Sequence, residues 1–138
     1  MKQAAFATAA LSLATLALAA LPPLPESVLR QDANEVVVGT VISVVTTEER
    51  RDQHWADQLY EIKVAVQTVE KGVGVQPGLP VISHGRRVLE RPPGWVGPVG
   101  VYAIEGAKAG VKLRLYLYDD QGKMDVMTPN GLEVLETP

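Results

Sequence analysis

The stretch "YEIKVAVQTV" (residues 60–69) decides the predicted fold. Apolar side chains occupy every second position from Tyr60 to Val66, whereas Glu61 and Lys63 lie between them. Successive side chains of a strand point to opposite faces, so this pattern predicts a strand with one face in a core and the other in solvent. A chain built from such segments belongs to the all-β class.

The segment before it, "EVVVGTVISVV" (residues 35–45), is β-branched and apolar at both parities. Such a run predicts a strand that is covered on both faces, or one that curls from one sheet into another. Gly39 in its middle marks the expected bulge or bend. Further short strands are predicted at residues 79–83, 101–105, 111–118, 123–127 and 131–136.

About six or seven short strands with turn signals between them predict a small OB-like barrel or a sandwich, and periodicity does not choose between the two. The charged segment 46–59 contains neither Gly nor Pro, and Trp55 and Leu59 are four residues apart. That spacing fits one face of a helix. An exposed loop or the tip of a long β-hairpin fits the composition equally well.

The first part of the chain has the pattern of a secretory signal peptide. Lys2 supplies one positive charge, residues 4–21 carry none, and the "ALA" at 17–19 fits the cleavage rule. We therefore predict a signal peptide at 1–19, a Pro-rich linker at 20–33 and one β-barrel domain at 34–138. Cleavage predicts an exported bacterial protein, periplasmic or secreted, with no membrane span left. An uncleaved membrane anchor is the alternative.

Composition excludes several kinds of site. The chain has no cysteine, so it has no disulfide, thiol nucleophile or thiolate metal site. An exported domain without cysteine is more typical of a bacterium than of an animal secretory pathway. Cleavage removes one of the 13 basic residues and none of the 16 acidic ones, which leaves a net charge of −4. That balance argues against nucleic acid as a partner.

Three segments, "NEVVVGTVISVV" (34–45), "YEIKVAVQTVEKG" (60–72) and "GLPVISHG" (78–85), carry a resemblance to a known family. Together they resemble the opening of the netrin-like or tissue-inhibitor-of-metalloproteinases module, over residues 34–85. The resemblance implies an OB-fold barrel. Members of that inhibitor family hold the protease metal with an N-terminal cysteine, which this chain lacks. A cysteine-free peptidase inhibitor is therefore an alternative function.

Two surfaces are candidate binding sites. The first lies in "RRVLERPPGWVGPVG" (86–100), where prolines stiffen a segment rich in arginine and tryptophan, the residue types in which binding energy concentrates. The second is one face of the strand at 111–118, basic and then aromatic, which an OB-fold could use for a sugar or for single-stranded nucleic acid, although export and a negative net charge disfavour the nucleic acid. The candidate residues are Arg86, Arg87, Arg91, Trp95, Lys112, Arg114, Tyr116 and Tyr118.

Each surface also has a plainer interpretation. Trp95 would fold back as a lid over an open end of the barrel, with the arginines solvated or paired with Glu90 and its neighbours. The strand face would be an ordinary solvent face, because alternation alone produces such a stripe.

Enzyme and metal motifs are missing. The glycines of "KGVGVQPG" (71–78) cannot open a helix because of Pro77, so they form no phosphate loop. His54 and His84 are the only histidines, and their spacing matches no metal-binding motif. We therefore predict a binding or interaction module without cofactor or metal, whose partner is another exported protein or a small anionic or sugar ligand. A small hydrolase with a site that no motif reveals is a third hypothesis.

Overall fold

The computed structural model describes residues 22–138, so the predicted signal peptide at 1–19 lies outside the described residues. The elements in chain order are helix α1 (Glu26–Asp32), strands β1 (Glu35–Asp52), β2 (Trp55–Lys71) and β3 (Pro80–Glu90), a 3₁₀ turn (Ile104–Gly106), and strands β4 (Lys112–Asp120), β5 (Lys123–Val126) and β6 (Leu132–Glu136). Among the described residues, no helix is long and apolar enough to cross a membrane.

The strands form a small barrel. They pair in the order β1-β2-β3-β5-β4, and β4 pairs in turn with β1, which closes the ring. β4 is bonded to β1 along one edge, and along its other edge to β6 first and then to β5. The narrowest seam is the parallel pairing of β3 with β5, at Ser83↔Met124 and His84↔Asp125. The predicted all-β class with a small OB-like barrel is therefore confirmed, in its barrel form.

The first half of β1 is apolar at both parities, and its surroundings in the barrel explain why. Residues Val36 to Thr40 pair with β4 along one edge and with β2 along the other. Both faces are covered there, since Val37 belongs to the main core and Val36 to the smaller cluster formed with Leu29 and Ala33. The register shifts between Val38 and Gly39, as the sequence predicts. A Cβ at Gly39 would lie 2.3 Å from the carbonyl oxygen of Ala65, so the bulge needs a glycine there.

The charged segment 46–59 is the tip of a long β-hairpin. β1 and β2 stay paired as far as Asp52↔Trp55, and β3 follows β2 outward as far as Ala56↔Glu90. We call this three-stranded extension the arm; it comprises residues 46–60 and 86–90. The hairpin alternative is confirmed, and a helix at 46–59 is wrong.

The predicted strand at 101–105 is wrong. Val101 and Ile104 are buried, but they are three residues apart and flank a tight turn with Ala103 at φ 58°. A strand places the side chains of one face at spacings of two, so two inward side chains three residues apart across a turn do not fit a strand. Both side chains enter the main core as a loop insertion.

The main core fills the barrel with alternate residues of the strands, among them Ile62, Val64, Leu113, Leu115 and Leu117. A second, smaller cluster lies outside the barrel wall, where Leu29 and Ala33 at the end of α1 pack on Val36 and Tyr116. Seven residues within the segment predicted as a linker therefore form a helix that covers part of β4.

Candidate functional site

Arg91 lies inside a cluster on the arm. Its side chain is 10% exposed, and its Nη2 donates to Asp57 Oδ1 at 2.5 Å. Its guanidinium lies 3.8 Å from the ring centre of Trp55 and 5.1 Å from that of Trp95. A guanidinium between two indoles and a carboxylate holds the arm together. Arg91 is thus not a displayed contact residue.

Trp95 packs against the arm. Its ring meets that of Trp55 edge to face, with centres 6.0 Å apart and planes at 79°. Within residues 22–138, Trp95 belongs to neither core cluster. The loop that contains Trp95 is therefore fixed to the side of the arm, through contacts of Trp95 with Trp55 and Arg91. We call Trp55, Asp57, Arg86, Arg91 and Trp95 the Arg–Trp cluster.

Asp57 is the residue of this cluster that sequence reasoning missed. Its side chain is fully buried, and its two oxygens accept from Arg91 and, at 3.0 Å, from Arg86. A buried carboxylate is tolerated when it is paired and hydrogen-bonded. The sequence does contain a hint of this pairing, because Asp57 precedes a segment that carries several arginines. The strand register that brings Asp57 and the arginines together is not visible in the sequence.

The other arginine of the predicted loop, Arg87, donates to Gln58 Oε1 at 2.8 Å and pairs with Glu105. Glu90, predicted as a possible partner of these arginines, instead pairs with Arg50 at 2.7 Å. The arginines of β3 are thus mostly engaged within the protein, and Arg86, with a side chain 45% exposed, also lines a cavity.

The second predicted surface is not an open face, because most of its residues are covered or paired within the protein. Arg114 pairs with Glu70 at 2.9 Å and with Glu133 at 3.0 Å. Tyr116 is buried beneath α1, with the guanidinium of Arg30 at 5.7 Å from its ring centre. Lys112 is half-buried at the start of β4. Tyr118 is the large side chain of this set that remains exposed.

Glu70 forms ion pairs with two arginines, Arg114 on β4 and Arg30 on α1. Hydrogen bonds from Arg114 and, to a lesser extent, from Arg30 hold its pKa below the usual carboxyl range. The pairing therefore stabilises the fold above the pKa that Glu70 has in the unfolded chain, and this contribution is lost as the pH falls through the lowered folded-state pKa.

We expect Glu70→Gln to lower the free energy of unfolding by roughly 1 kcal/mol at pH 7, because the pairs are partly exposed. The deficit should shrink as the pH falls below the usual carboxyl range. Urea unfolding of both proteins at neutral and acid pH measures the two values. A deficit that is constant with pH would show that the ionised carboxylate contributes nothing.

Arg86 and Tyr118, one from each predicted surface, line the same cleft. The cleft has a volume of about 420 Å³ and lies between the arm and the β4–β5 hairpin. The structure brings these two candidates together and leaves the other six outside the cleft lining. The full lining is Glu49, Leu59, Tyr60, His84, Gly85, Arg86, Val101, Tyr118, Asp120, Lys123, Asp125, Val126 and Thr128.

The sheet register explains why polar groups meet here. Tyr118 pairs with Asp125 across β4 and β5, and Asp125 pairs with His84 across the short parallel seam to β3. Beyond that seam β3 continues with β2 into the arm, and Val101 is among the residues that line the cleft there.

The cleft carries both signs of charge around one aromatic ring. Glu49, Asp120 and Asp125 are acidic, whereas Arg86 and Lys123 are basic. Burial, followed by the neighbouring carboxylates of Asp125 and Asp120, raises the pKa of the Tyr118 hydroxyl, and Arg86 acts in the opposite direction. The hydroxyl therefore stays protonated at neutral pH and is able to donate a hydrogen bond.

Within residues 22–138, no group of three or more His, Asp or Glu side chains is arranged to hold a metal ion. The two histidines are apart: His54 lies in the turn at the tip of the arm and His84 in the cleft. Comparison of the chain with protein-family models, curated proteins and solved structures gave no match.

Proposed function

We propose that this protein is an exported binding module that holds a neutral, hydroxyl-rich ligand, such as a short oligosaccharide, in the cleft. The observation that carries the proposal is the convergence of Arg86, Tyr118 and Asp125 on one cavity. Export rests on the leader pattern at residues 1–19.

The size of the cleft supports a small ligand. Its volume of about 420 Å³ lies within the range typical of ligand sites, roughly 300–1,000 Å³. Pockets of this kind combine apolar wall with a few convergent polar groups. Here Leu59, Val101 and Val126 supply apolar wall between the charged side chains.

The charge balance supports a neutral ligand. An anionic ligand would approach the carboxylates of Glu49, Asp120 and Asp125, and a cationic one would meet Arg86 and Lys123. A hydroxyl group both donates and accepts, so it can bond to a carboxylate and to a guanidinium or ammonium at the same time. A polyol or sugar therefore satisfies this set without a repelled charge.

The exposed ring of Tyr118 supports a sugar among hydroxyl-rich ligands. Its side chain is 42% exposed and lies in the cleft lining. The face of a phenol ring packs well against C–H groups, and its hydroxyl end still finds a polar partner. Sugar rings present C–H faces of this kind with hydroxyls at their edge.

The test is calorimetric titration of the purified protein with tetramers of glucose and of N-acetylglucosamine. We expect saturable binding of at least one of them, and an affinity about fivefold weaker in Tyr118→Ala, since an aromatic contact contributes about 1 kcal/mol. Lys112→Ala is the comparison variant, because Lys112 lies on the same strand outside the cleft lining.

Three outcomes would contradict the proposal. Equal losses in the Tyr118 and Lys112 variants would place the ligand on the β4 face. Tighter binding of a sulfated tetramer than of the neutral one would assign an anion site. Shortening of the tetramer during a long incubation would identify a hydrolase. Incubation with metallo- and serine peptidases tests the inhibitor alternative separately, since slowing of a peptidase would favour it.

A further inference from the structure

Asp57 lies on β2 next to the cleft without reaching it. Its side chain is fully buried, and it is not among the described residues that line the cleft. Its Oδ2 accepts a hydrogen bond from Nη1 of Arg86 at 3.0 Å, and Arg86 does line the cleft. Any effect of Asp57 on a ligand in the cleft therefore passes through Arg86.

The carboxylate of Asp57 is itself held in place. Arg91 donates to its other oxygen at 2.5 Å, and the guanidinium of Arg91 contacts the rings of Trp55 and Trp95. The same guanidinium also donates to two backbone carbonyls of the arm. Charge-assisted hydrogen bonds of this kind fix the geometry of both partners. Asp57 therefore offers Arg86 an anchor with a defined position.

The backbone of Arg86 is fixed independently of Asp57. Its carbonyl oxygen accepts from the N–H of Val101 at 2.9 Å, and it pairs with Leu59 in the register of β2 and β3. Loss of Asp57 would therefore leave β3 in place and release only the guanidinium end of the side chain. That end is able to move, because the side chain of Arg86 is 45% exposed.

The anchor has two consequences for a ligand. A guanidinium carries five N–H donors, so the bond to Asp57 leaves other donors for the cleft. A long side chain that is already ordered loses less conformational entropy when a ligand binds. The carboxylate of Asp57 also offsets the positive charge of Arg86, which lowers the attraction of the cleft for anions.

We infer that Asp57 is a positioning residue of the cleft, which orders Arg86 for a neutral ligand and offsets its charge toward anions. The nature of the ligand rests on the proposed function, whereas the ordering of Arg86 does not. The inference gives the Arg–Trp cluster a role in binding, although four of its five members lie outside the cleft lining.

Nuclear magnetic resonance of the arginine Nε–H groups tests the ordering without a ligand. We expect the signal of Arg86, identified by its loss in Arg86→Lys, to relax as that of an ordered side chain. In Asp57→Ala/Arg91→Met the side chain should move freely on the picosecond-to-nanosecond timescale. This double variant also removes the buried charge of Arg91, so it disturbs the fold less than Asp57→Ala alone. A mobile Arg86 in the original protein, or an equally ordered one in the double variant, would overturn the inference.

Titration with the neutral tetramer and with its sulfated form tests the effect on binding. The double variant should bind the neutral tetramer about threefold more weakly, because a long side chain must then be ordered on binding. It should bind the sulfated tetramer no more weakly than the original protein does, because Arg86 has lost its counter-charge. In an Arg86→Ala background, the same two changes should have no further effect on the neutral tetramer. Equal losses for the two tetramers, or a further loss in that background, would contradict a role through Arg86.

Glu105→Ala is the matched control. It removes the ion-pair partner of Arg87, the neighbouring arginine on β3, which is not among the described residues of the cleft lining. Neither the order of the Arg86 side chain nor the affinity for either tetramer should change. If neither tetramer binds to the original protein, the proposed function is contradicted, and the resonance experiment by itself decides whether Asp57 orders Arg86.

Discussion

Replacing Asp57 by alanine should lower the free energy of unfolding by about 3–5 kcal/mol, because it leaves the buried guanidinium of Arg91 without a counter-charge. Arg91 is 10% exposed, and within residues 22–138 Asp57 is the carboxylate that pairs with it, whereas its other hydrogen bonds go to the uncharged backbone carbonyls of Ala56 and Glu90. Arg86, which is 45% exposed, can recover water on its outer side. Urea unfolding followed by circular dichroism measures the loss.

Two comparison variants define the cause. Glu90→Ala removes a 41% exposed partner of Arg50 on the same arm and should cost no more than about 1 kcal/mol. The double variant Asp57→Ala/Arg91→Met should lose less than Asp57→Ala alone, because it also removes the buried charge. A loss for Asp57→Ala within 1 kcal/mol of that for Glu90→Ala would refute the role of this pair.

Replacing Gly100 by alanine should cost about 3 kcal/mol, because it combines a left-handed backbone with a steric clash. Gly100 has φ 96°, and a Cβ there would lie 2.2 Å from the carbonyl oxygen of Arg86. This close approach lets residues 99–101 pair with β3, and that pairing positions Val101 in the core beside the cleft. Chemical unfolding measures the cost, and ligand titration should show weakened binding.

Gly94 provides a matched control for Gly100. It also has a positive φ, of 79°, but a Cβ there would meet nothing within 4 Å. Gly94→Ala should therefore cost only the backbone preference, about 1–2 kcal/mol. If the two alanine variants lost the same stability, the close contact between residue 100 and β3 would not hold this segment in place.

The sequence predicts the strands of the barrel better than it predicts their extent. Alternation locates the buried residues of β2 because each inward position meets the core. It does not show that β1 and β2 continue through a charged segment to a turn at residues 53–54. There the residues lie on an extension outside the barrel, so no core imposes an apolar pattern on them.

The short helix α1 could not be predicted from its sequence. Seven residues do not form a stable helix alone, and this one depends on the packing of Leu29 against Tyr116. Asn130, far along the chain, also fixes the segment through two hydrogen bonds to the backbone of Leu24. Such contacts belong to the folded barrel and leave no local signal.

The candidate site was predicted only in part for a related reason. Residue type singled out Arg86 and Tyr118, but their meeting depends on the parallel seam between β3 and β5, which one strand does not reveal. Asp125 gave no signal at all, since a carboxylate in a short strand reads as a solvated residue. Conversely, Tyr116 is aromatic at the right spacing and is nevertheless covered by α1.

The most direct test of the cleft as the binding site is a map of backbone amide chemical shifts during titration with the neutral tetramer that binds. We predict that the largest changes occur on both walls, at Arg86 on β3 and at Tyr118 and Asp125 on the β4–β5 hairpin. Changes confined to the Arg–Trp cluster or to the start of β4, or no saturable change with either tetramer, would contradict this account.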